Sequence, residues 1–64
     1  MNIYADLPLP ILYVLERGLK DSIRQCENLQ EFFTEQGMPD GVSNWKKNQD
    51  YYQEHLDSVT EAFG

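Results

Sequence analysis

Two apolar stripes, each repeating at alternate intervals of three and four residues, constrain this chain more than any other feature. The first runs Leu12, Leu15, Leu19, Ser22, Cys26, Leu29 and Phe33, and only Ser22 interrupts it. The second runs Val42, Trp45, Gln49, Tyr52, Leu56, Val59 and Phe63, interrupted only by Gln49. This spacing returns side chains to one side of a helix, and it is incompatible with the alternation of a half-buried strand. Between the stripes stands Gly37-Met38-Pro39-Asp40-Gly41. Glycine suits the left-handed residue after a helix, and proline blocks continuation. Asp40 or Ser43 is placed to accept an orphan N–H at the start of the next helix.

The pattern therefore implies an all-α chain with one domain: a helix over about 10–36, a loop at 37–41 and a helix over about 42–63. Pro10 fits a first helical turn, where its missing N–H costs nothing. A short connection makes the two helices antiparallel neighbours. One register then pairs Phe33 with Trp45, Leu29 with Gln49, Cys26 with Tyr52, Ser22 with Leu56, Leu19 with Val59 and Leu15 with Phe63. Ser22 and Gln49 each fall opposite a large apolar residue, a mild mismatch unless they reach water or another helix. Gly18 interrupts the first helix at a cost of about 1 kcal/mol relative to alanine. It marks a kink, a close approach or a tolerated glycine.

The first helix outlasts the second at its N-terminal end. Leu7, Leu9, Ile11, Tyr13 and Val14 reach past the point where the second helix stops, and Ile23 and Phe32 widen the stripe on its flanks. A chain of 64 residues buries a small fraction of its surface and commonly needs a staple. One cysteine excludes an internal disulfide, and a single histidine leaves no Cys/His metal cluster. Association is the remaining route. The hairpin is thus expected to be completed by dimerisation into a four-helix bundle, or by a partner protein, through these seven residues. The competing expectation folds the first fourteen residues back onto the hairpin.

Eleven acidic residues against five basic ones give a net charge of -6. That balance disfavours phosphate backbones and anionic membrane surfaces, and permits a basic protein partner. Glu27, Glu31 and Glu35 follow one another at four-residue intervals, and Asp50, Glu54, Asp57 and Glu61 recur at four, three and four. Both sets fall on outward positions. A solvated face explains them, and an acidic surface imitating nucleic-acid phosphates is the alternative. In an antiparallel pair, Arg17, Lys20 and Arg24 lie beside the acidic end of the second helix, and Lys46 and Lys47 lie towards Glu31 and Glu35.

No motif for chemistry emerges. Cys26 belongs to the stripe and reads as core rather than nucleophile. His55, with Asp57 and Ser58 nearby, reads as a flanking or surface residue, because neighbours along one helix do not converge on a substrate. No calcium-loop pattern or glycine-rich phosphate loop occurs. Trp45, Tyr51, Tyr52 and Phe63 lack the basic groove that base stacking requires. The apolar run Leu7–Leu15 holds two prolines and falls far short of the roughly 20 residues that span a bilayer. Asp6 and the lack of a positive start argue against a secretory signal. The expectation is a cytoplasmic, non-enzymatic interaction module with no cofactor or metal. Its partner is its own copy or a larger protein, in an adaptor or inhibitor role. The alternative is an acidic decoy for a DNA- or RNA-binding protein.

Overall fold

The computed structural model describes residues 2–64. Among them two helices account for nearly everything: α1, Leu9–Glu35, and α2, Pro39–Ala62. They lie antiparallel in a single layer whose Cα extents are 43 × 20 × 12 Å. No strand occurs among the described residues.

Proline begins both helices. Pro8 is extended and serves as the N-cap of α1, so Leu9 rather than Pro10 is its first residue. The Pro8 carbonyl accepts from the N–H groups of both Ile11 and Leu12. Pro39 likewise stands in the first turn of α2, where it displaces no hydrogen bond. The expected caps at Asp40 and Ser43 do not form. Met38 is the N-cap and contributes no side-chain bond. Asp40 lies inside the first turn, where its carboxylate faces the positive end of the helix dipole.

The turn is tighter than the sequence suggests, because 39–41 are already helical and only Gln36–Met38 connect the helices. Gly37 takes the left-handed conformation at φ 68°. Its N–H donates to the Thr34 carbonyl at 3.1 Å, and the Met38 N–H donates to the Phe33 carbonyl at 2.9 Å. This crossed pair satisfies two carbonyls that end without helical partners. Gly41 is needed for a different reason. A Cβ there would stand 2.7 Å from the Phe33 ring, so α2 approaches the Phe33 side chain as closely as only glycine allows.

Every position of both stripes is buried or half-buried. Only Leu12, Cys26 and Val59 are fully enclosed, with Ile23 nearly so, as a layer one helix thick requires. The Gln49 mismatch is resolved by a residue outside the stripe. Gln30 Nε2 donates to Gln49 Oε1 at 2.6 Å and to the Cys26 carbonyl at 3.2 Å. The expected ion pairs between the helices are absent from the described residues, where the one salt bridge is Lys20–Glu16 at 3.7 Å within α1. Exposed pairs gain too little to hold long side chains across a helix interface.

Candidate functional site

The lead-in is the part of the chain that sequence reasoning left irregular. Asn2 Oδ1 accepts from the Tyr4 N–H at 2.9 Å, and successive turns carry the chain to Leu7. The same Asn2 donates through Nδ2 to the Ser58 carbonyl at 2.7 Å. Tyr4 Oη lies 2.7 Å from His55 Nδ1, and Tyr51 packs edge-on against the same imidazole with centroids 4.6 Å apart. His55 is therefore a half-buried anchor for the N-terminus. Tyr13 packs on Phe63, centroids 4.9 Å apart. Leu12, which α2 is too short to cover alone, is 1% exposed at this closed end. The fold-back was thus partly right, and it leaves much of the apolar surface uncovered.

The seven residues assigned to an apolar interface separate into three groups. Ile23 is buried in the hairpin and offers no surface, because the stripe is broad enough to enclose a residue on its flank. Leu7 is half-buried. Leu9, Ile11, Tyr13, Val14 and Phe32 are exposed, Val14 to 68% and Phe32 to 50%.

Their placement follows from helix geometry. Ile11, Gly18, Gln25 and Phe32 each stand one residue before a stripe position in α1; Asn48, His55 and Ala62 do so in α2. Both helices are right-handed, α2 runs the opposite way, and it faces the opposite way. The two reversals cancel, so equal offsets from the stripe fall on the same broad face. Of the fourteen residues preceding a stripe position, only Asp21 is formally charged. Of the fourteen following one, six are: Glu16, Lys20, Glu27, Lys46, Asp50 and Asp57. The hairpin has a low-charge face and a charged face.

Ile11, Val14, Phe32 and Tyr51 are the exposed apolar side chains of the low-charge face. The lead-in is tied to His55 and Ser58 on its α2 half. Leu9 and Tyr13 lie towards the charged face, Tyr13 against Phe63. All seven acidic residues singled out from the sequence are exposed. Glu27, Asp50 and Asp57 lie on the charged face; Glu31, Glu54 and Glu61 stand on the outer edge, and Glu35, seven residues after Asn28, ends the row of Val14, Asp21 and Asn28 on the low-charge side. Asp57 accepts a bond from Gln53 at 2.9 Å.

Cys26 is free and fully buried. Desolvation raises its thiol pKa above the ordinary value of 9.0, and the Glu27 carboxylate adds to the shift. A thiol held protonated and shielded is a poor nucleophile. Among the described residues no three His, Cys, Asp or Glu side chains converge as metal ligands, and no helix is long and apolar enough to cross a membrane. An open, shallow hollow lies at the turn between Thr34, Met38, Pro39 and Val42. Comparison with protein families, curated proteins and solved structures finds no match for this chain.

Proposed function

We propose that this chain is a non-enzymatic protein-interaction module, an adaptor or inhibitor subunit, that binds through the low-charge face of its hairpin. The observation that carries the reading is the coincidence of exposed Ile11, Val14, Phe32 and Tyr51 with the face that has shed its charges. Lone exposed apolar residues are ordinary, but four of them spread along one low-charge face favour an interface there. The buried free cysteine is compatible with a reducing compartment such as the cytoplasm. The test is Ile11→Asp with Val14→Asp, which should abolish association while helicity is retained. Association undiminished in that variant would refute the reading.

A second reading rests on the other face. Glu27, Asp50 and Asp57 there, and Glu31, Glu54 and Glu61 on the outer edge, are exposed and make no ion pair with the other helix among the described residues, which leaves them free to meet a basic nucleic-acid-binding protein. Reversing Glu27, Glu31 and Glu35 to lysine would then abolish binding, and binding to wild type would weaken steeply as salt rises.

A further inference from the structure

We draw no further inference here: the strongest candidate, the low-charge flank of α1 with its exposed Ile11, Val14 and Phe32, is an unpartnered apolar surface, and nothing in the structure shows what covers it.

Discussion

The two ends of the hairpin are closed by different means. At the turn, closure is a matter of backbone: Gly37 in the left-handed region, two crossed hydrogen bonds to α1 carbonyls, and a glycine at 41 under the Phe33 ring. At the open end, closure depends on side chains brought together from far apart in sequence. Asn2 and Ser58 are 56 residues apart, and Tyr4 and His55 are 51. A turn needs only its own few residues to be in place. The open end needs both helices formed and in register before any of its bonds can exist. Each such bond returns only about 1 kcal/mol net. The open end should therefore be the first part of the molecule to loosen.

Substitutions can break this contrast, and the largest effect is expected at the open end. Leu12→Ala removes one of four enclosed side chains and should cost about 2–5 kcal/mol in a urea titration followed by circular dichroism. Gly41→Ala is next. The new methyl would overlap the Phe33 ring and should cost about 1–3 kcal/mol. Phe33→Leu in the same chain should recover part of it, giving a coupling energy a double-mutant cycle can read. Gly37→Ala forces a Cβ into the left-handed region, for about 1–2 kcal/mol.

A smaller change should separate the ends most cleanly. Tyr4→Phe deletes the hydroxyl facing His55 and should cost about 0.5–1.5 kcal/mol. Hydrogen exchange should rise in the lead-in and the last turns of α2 and stay unchanged around Gly37. Equal acceleration at both ends would show that they are one cooperative unit. The smallest effect belongs to Cys26, midway between them. Its folded pKa lies above its unfolded one, so the unfolded thiol loses its proton first and stability declines as pH rises past about 9.0. Cys26→Ser should flatten that decline, whatever it does to stability at neutral pH.

The features legible in advance are those that depend on spacing along one helix. All fourteen stripe positions came out buried or half-buried, and Gly37 occupies the conformation its position implied. The turn was misjudged by three residues because Pro39 reads equally well as a stop or as the first residue of the next helix. Ile23 was assigned to a surface because it lies outside the strict three-four spacing, yet a helix stripe is broad enough to enclose a flanking residue. Gln30 went unnoticed for the same reason, although it is the residue that satisfies Gln49. The lead-in gave no periodic signal at all. Its anchors, Tyr4 and His55, are ordinary residues until the fold brings them within 2.7 Å.

The sequence by itself determined that there are two helices, where they turn, and which side of each faces the other. Those properties are set within one helical turn or a few residues, by side-chain periodicity, proline and glycine. Only the tertiary structure decided that the N-terminus doubles back onto α2 and that Ile23 is enclosed. It alone also placed the low-charge flanks of both helices on one broad face. These depend on the handedness and relative direction of two helices and on pairs of residues dozens of positions apart, quantities that no local window of sequence contains.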